Sequence, residues 1–425
     1  MGHDVTMAKL LLTAMPFTGH VTPMLSVAAA LVARGHDVRF YTGSAFRPGV
    51  EASGARHVPW TKAPEFDEND LTATFPRLVG KKGLGQLLIN VQDVFIKTAP
   101  AQLEDLTAEW EREPWEALAG DEMSIGTALY AEKTACPWGT VAVLPLNLIG
   151  REGPPSGMGL TPGRNPVTRL RDAVLRTAVP LIARPLSKPL ASARAEIGLP
   201  PSKAPFDRVA FSARLLVASG APLLDYERTD RPASVHFVGQ LRPAPTPSAL
   251  PPWWADLDGR TVVHVTQGTQ NIDPSDLIRP TLDALADRDM IVVVSTGVPD
   301  RDELPFPVPR NARVAGFLPY ADLLPQVDLV VTNGGWGGTL AALAHGIPLV
   351  IAGGDLDKPE IAARVAWAGA GFNLKTGTPS AAKVAGGVDR VLADPSFRDA
   401  AARVGRQLDE LGGPNRAAEL LETLL

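Results

Sequence analysis

The stretch Leu329-Val330-Val331-Thr332-Asn333-Gly334-Gly335-Trp336-Gly337-Gly338-Thr339 decides the reading of the chain. A short apolar run enters four glycines, and a helix-forming segment over 340–345 follows, closed by Gly346. Strand, glycine turn and helix in that order are one step of a parallel α/β sheet. Glycines at such a turn let backbone N–H groups approach a ligand, and the helix N-terminus adds partial positive charge. The segment therefore reads as a phosphate cradle. A plain turn would not need four glycines.

Outward from the cradle, the same pattern repeats. Apolar runs at 261–266, 290–294, 329–332 and 349–352, with a helix over 276–287, form one α/β series. A second series opens the chain: a strand over 10–14, a loop over 15–22, a helix over 23–34 ended by Gly35, and a strand over 37–41. Between the two, residues 231–254 hold Pro232, Pro243, Pro245, Pro247, Pro251 and Pro252, a density that defeats helix and suits an extended linker. The expected organisation is a first domain over 1–235, a linker over 236–255 and a second domain over 256–425, with the final helix free to pack back on the first domain. The basic stretch over 164–194, broken by Pro180, Pro185 and Pro189, reads as a solvated helical face over the first domain.

Composition narrows the partners. A chain of 425 residues with 45% hydrophobic and 20% charged side chains can bury more than one core. Lys+Arg 41 against Asp+Glu 46 gives a net charge of −5, so no basic excess draws the chain to nucleic acid or anionic lipid. The lone Cys136 allows neither an internal disulfide nor a cysteine zinc site. No apolar run reaches the length of a membrane span and the first residues lack the order of a signal peptide, so the cytoplasm is the default address. No solenoid repeat is present.

The G-x-x-x-x-G-K-[ST] loop is absent, and the first turn, Pro16-Phe17-Thr18-Gly19-His20-Val21-Thr22-Pro23, lacks G-x-G-x-x-G, so ATPase and dehydrogenase readings fall away. That turn offers His20 instead, at the C-terminal end of the first strand and at a helix start. A helix N-terminus disfavours imidazolium, so His20 is expected to stay neutral and able to accept a proton.

Together these loops resemble the inverting GT-B glycosyltransferases of the UDP-glycosyltransferase superfamily, above all the bacterial branch that glycosylates natural products such as polyketides and macrolides. The resemblance covers most of the chain. It rests on Gly19-His20-Val21-Thr22-Pro23, Arg34-Gly35-His36-Asp37-Val38, Val238-Gly239, Gln267-Gly268-Thr269, Gly316-Phe317-Leu318-Pro319 and the segment 334–357, in that order. It implies an α/β protein of two Rossmann-like, doubly wound domains facing across a cleft, with acceptor bound mainly by the first and sugar nucleotide mainly by the second. By that likeness His20 is the catalytic base and Asp121 orients it. A carboxylate on one ring nitrogen fixes the tautomer while the other nitrogen takes the acceptor's proton.

For the donor, the resemblance implies an aromatic at Phe317 and backbone reading of the base at Leu318. Gly268, Thr269, Gly334, Gly335, Gly337, Gly338 and Thr339 are implied at the diphosphate. Asn333 stands where most relatives have His, and Asp357 with Lys358 where they have an Asp-Gln pair on the sugar hydroxyls. Asp355-Leu356-Asp357 also spells D-x-D, a cation-binding pattern of the other major glycosyltransferase fold. The cradle's uncharged donors and helix dipole perform the same electrostatic task, so the expected site holds no metal and no cofactor, the nucleotide sugar being a co-substrate. Expected partners are a UDP- or dTDP-sugar and an apolar small-molecule acceptor; a homodimer is left open. Two other readings stay open: a sugar-nucleotide epimerase or hydrolase on the same fold, and a non-catalytic glycosyltransferase-like helper.

Overall fold

A computed structural model describes residues 7–81, 83–202, 206–245, 249–268, 273–298 and 301–425. Thr269 lies outside the described residues. Seven strands, β1 (Lys9–Thr13), β2 (Asp37–Thr42), β3 (Arg56–Pro59), β4 (Ala117–Asp121), β5 (Trp138–Ala142), β6 (Leu216–Ala218) and β7 (Val235–Phe237), form one sheet in the order β3-β2-β1-β4-β5-β6-β7. Six more, β8 (Val262–Thr266), β9 (Ile291–Ser295), β10 (Ala312–Ala315), β11 (Leu329–Thr332), β12 (Leu349–Ile351) and β13 (Gly371–Asn373), form a second sheet in the order β10-β9-β8-β11-β12-β13. All neighbours pair in parallel.

Strands in such sheets are covered on both faces, and these are buried accordingly. Alternation along β1 sends Leu10 and Leu12 into one core and Leu11 into another. Along β11, Leu329 and Val331 face one core and Val330 the opposite one. Each sheet reverses strand order once, at β1/β4 and at β8/β11, and the crevice beyond the C-terminal ends at such a point is where open α/β sheets bind ligands.

Several elements depart from the expected bounds. The helix α1 spans Thr18–Ala33 and takes Pro23 inside it, so His20 lies in its first turn rather than in a loop. A proline five residues into a helix loses only one early backbone bond. The start is capped from outside, Thr18 N donating to Glu68 Oε2 at 2.9 Å, where a carboxylate also complements the helix dipole. The cradle helix spans Trp336–Ala344 and starts four residues earlier than the sequence suggested, because glycines are tolerated in a first turn whose N–H groups have no intrahelical acceptor anyway. β7 carries the first sheet two residues into 236–255, the extended run ahead of the prolines pairing with β6.

The basic segment folds as two helices, Pro166–Ile182 and Arg184–Glu196. The charged face expected there is turned largely to bonding: Arg171 donates to Thr161 O and Arg194 to Glu132, while Val167, Leu170, Val174 and Leu181 are exposed.

Contacts tie the two halves together. The last helix, Gly413–Glu422, packs its Ala417, Ala418 and Leu421 into the core shared with α1, and Glu422 receives a bidentate pair from Arg34 at 2.6 and 2.7 Å. Arg364, in the helix Lys358–Trp367, is buried and donates to Leu146 O at 2.8 Å, Asp225 at 3.0 Å and Glu360 at 2.9 Å. Trp336 donates its indole N–H to Ser219 Oγ at 2.9 Å. Its ring lies so close to Gly220, itself at φ +97°, that a Cβ there would come within 2.7 Å of it. Among the described residues no helix is long and apolar enough to cross a membrane.

Candidate active site

Parallel register brings the first group together. Thr13 stands beside Gly120, so the chain leaving β1 passes the end of β4, and Met15 N donates to Asp121 Oδ2 at 2.6 Å. Met123 N holds the other oxygen at 2.6 Å. Fixed by two amides, Asp121 turns Oδ1 to 3.4 Å from His20 Nδ1, a close charge contact rather than an aligned hydrogen bond. His20 Nε2 is thereby left for a substrate. Beside the imidazole stand the rings of Phe17 at 5.8 Å and Phe95 at 6.5 Å, with Phe66 in turn 5.1 Å from Phe17.

Burial lowers the proton affinity of His20, but Asp121, then Glu122 and Asp357, outweigh it and carry its pKa to about 8. The helix N-terminus alone led to the expectation of a neutral imidazole; these carboxylates push the ring the other way, toward its protonated form. Of these carboxylates the sequence had placed Asp121 beside the ring and had assigned Asp357 to the donor's sugar. Glu122 was missed; a second acid directly after the first, at the end of a strand, was the available signal.

The second group forms in the same way at β8/β11, where Thr266 pairs with Thr332 and sets the two following turns side by side. Gly268 is at φ +71° and Gly334 at φ +92°, and a Cβ on Gly334 would come within 2.8 Å of Ile351. Asn333 is buried and donates Nδ2 to Gln267 O, while its Oδ1 has no partner. Its amide is thus tied to the neighbouring turn, so the free phosphate donor suggested by the sequence is already engaged through one hydrogen. Gly335 caps the cradle helix, and hypothetical Cβ atoms on Gly335, Gly337 and Gly338 would meet nothing within 4 Å. The open first turn also holds Thr339, whose buried Oγ1 is unpartnered. A cavity of about 400 Å³ lies beside Gln267, lined also by Ile278, Thr296 and Leu304.

The remaining sequence-derived residues divide. Leu318 buries its side chain in the core of the second domain, whereas Phe317 beside it is 58% exposed. Asp357 is half-buried just before the helix Lys358–Trp367, and burial raises its pKa while Lys358 and His20 oppose that rise. Lys358 is buried with Nζ 3.1 Å from Asp355. The D-x-D carboxylate that a cation would need thus already faces an ammonium. His20, Asp121 and Glu122 also lie within 4.8 Å of one another through their ligand atoms, but each carboxylate oxygen of Asp121 and Glu122 except for its second lone pair is already engaged by an amide or by the imidazole. Trp336 was missed too, although one bulky ring among four glycines marks a packing contact.

Two α/β domains with a histidine–carboxylate pair at one switch point and an open glycine cradle at the other define a GT-B type of transferase. The solved glycosyltransferase of kitacinnamycin has this fold, with a TM-score of 0.75 over 99% of both chains at 20% identity. Residues 279–424 match the family described as erythromycin biosynthesis protein CIII-like, C-terminal domain. The 4'-demethylrebeccamycin synthase of Lentzea aerocolonigenes is 40% identical over 422 residues, 98% of this chain and 100% of that one. UDP-glucosyltransferase B1 of Starmerella bombicola is 31% identical over 97% of this chain and 96% of its own. The chain belongs to the natural-product glycosyltransferases of the UDP-glycosyltransferase superfamily.

Proposed function

We propose that this glycosyltransferase moves a hexose or deoxyhexose, with inversion and without a metal ion, from a UDP- or dTDP-sugar to a hydroxyl of an apolar small molecule. The observation that carries the reading is the pairing of His20 with Asp121 at the first switch point, Nδ1 3.4 Å from Oδ1, together with the open glycine turn at the second. One sheet thus offers a base for the acceptor hydroxyl and the other a cradle for the donor's diphosphate.

In this mechanism His20 Nε2 takes the acceptor's proton while Asp121, locked by the Met15 and Met123 amides, stabilises the imidazolium at Nδ1. The acceptor oxygen attacks the anomeric carbon and the carbon–phosphate oxygen bond breaks on the opposite face, so the configuration inverts. Charge gathers on the departing diphosphate, where the first-turn N–H groups of the cradle helix and the Thr339 hydroxyl supply donors. Lys358 and Asp357 hold the sugar. Phe17, Phe66 and Phe95 make the side of the cleft next to His20 apolar, which favours an acceptor of the same character.

The test is incubation with UDP- and dTDP-sugars and a panel of polycyclic and phenolic acceptors, with the anomeric configuration of the product read by NMR. Inverted glycoside is expected. A retained configuration overturns the direct displacement, and donor consumption at the same rate without any acceptor favours the epimerase or hydrolase.

A further inference from the structure

Glu122 has no part in the mechanism above, yet it is 6% exposed and both of its oxygens are committed. Oε2 accepts from Val143 N at 2.9 Å and Oε1 from Leu144 N at 2.8 Å, so the chain leaving β5 fixes the carboxylate in place. Its ligand atoms and those of Asp121 and His20 all fall within 4.8 Å of one another. A buried carboxylate costs free energy unless a positive charge or donors compensate it, and two neutral amides compensate only part.

We infer that Glu122 is a positioning residue for the base: a second buried carboxylate, held rigid by β5, that stabilises the His20 imidazolium formed when the acceptor gives up its proton. The inference rests on His20 being that base. The Asp121 contact leaves room for such help, since at 3.4 Å it lacks hydrogen-bond alignment and both of its oxygens already serve amides. The other groups facing the ring are the uncharged Phe17 and Phe95 and, across the cleft, Asp357, whose charge Lys358 offsets. Glu68 is held at the start of α1 by Thr18, and Asp121 and Glu122 are the two carboxylates that cluster with the imidazole within 4.8 Å. Burial pushes the Glu122 carboxyl up and His20 draws it back down, so a proton on the ring favours the ionised Glu122 and the two titrate as a linked pair.

The measurement is kcat/KM against pH for the wild type, Glu122→Gln and Glu122→Asp, with NMR titration of the His20 ring in each. Glu122→Gln is expected to move the acid-limb midpoint and the ring titration down together by about one pH unit and to lower the high-pH plateau severalfold, while Glu122→Asp keeps the midpoint near the wild type. A Glu122→Gln protein that melts like the wild type but keeps its midpoint overturns the inference, as does an aspartate variant that shifts as far as the glutamine one. Should Glu122→Gln fail to fold, the wild type decides: the Glu122 carboxyl carbon must respond at the ring's midpoint, and independent midpoints overturn the linkage. His20→Ala separates the two ideas. Retained transfer in that variant defeats the base assignment, whereas the ring titration still reports whether Glu122 acts on His20.

Discussion

The switch points at β1/β4 and β8/β11 are built on the same strand order and carry opposite electrostatics. At the first, Asp121 and Glu122 crowd carboxylates around a histidine; at the second, four glycines and two buried, unpartnered oxygens leave a hollow in front of a helix N-terminus. Two buried histidines show the contrast. His264, on β8, lies between Val293 O at 3.0 Å and the Tyr320 hydroxyl at 3.1 Å, and burial drives its pKa down to about 4. His20 is also buried but faces acids and rises to about 8. Burial alone lowers a histidine's affinity for a proton; the added carboxylates raise it. One scaffold thus supports one switch point crowded with carboxylates and another that opens a helix N-terminus.

The largest expected effect breaks the contrast at the first switch point. His20→Ala should lower kcat/KM by about 10³-fold, within the range for loss of a general base, and leave nucleoside diphosphate affinity by calorimetry unchanged. A loss of affinity equal to the loss of rate would mean that the two regions are not separate in function. Next comes the hollow. Gly337→Val adds atoms where the protein has none within 4 Å, so the fold should melt as before while the diphosphate dissociation constant rises about tenfold or more. An unchanged constant places the anion elsewhere.

The two histidines sharpen the comparison through pH. Because the raised pKa keeps His20 protonated below about 8, and the base must be free to act, kcat/KM should fall about tenfold for each pH unit below that value. The ring signal of His20 should move over the same interval and that of His264 should stay fixed above pH 5 or so. Titration of both rings at one midpoint would erase the distinction. The smallest expected effect is none: with Lys358 already against Asp355, excess EDTA should leave the rate as it was. A rate abolished by EDTA and restored by Mn²⁺ would require a cation among these carboxylates.

Much of this was legible in the sequence because it depends on local pattern. Apolar runs separated by glycine turns announce parallel strands, and the glycines over 334–338 announce a turn that must stay open. His20 was found because it follows a strand end at a helix start, and Asp121 because the family likeness implied an orienting carboxylate at that place. What stayed hidden depends on long-range register. Nothing near residue 122 says that Val143 and Leu144 will aim their amides at it, and nothing near residue 336 says that its indole will reach Ser219. The upward push on the His20 pKa stayed hidden for the same reason: a helix terminus is local, but Glu122 and Asp357 act on the ring only through the fold. The early starts of α1 and of the cradle helix reflect first turns in which proline and glycine cost less than their interior propensities suggest.

The return of the last helix to α1 has a practical side for anyone recombining such enzymes. A chimera cut once at the proline-rich linker would give each new partner the wrong tail, stranding Arg34 and the apolar side of α1 against a helix matched to another protein. The exchangeable module is therefore discontinuous: the sheet from β8 to β13 travels as an insert, and the segment Gly413–Glu422 stays with the host that supplies α1. Two crossovers rather than one would then exchange the second sheet and leave the packing on α1 undisturbed.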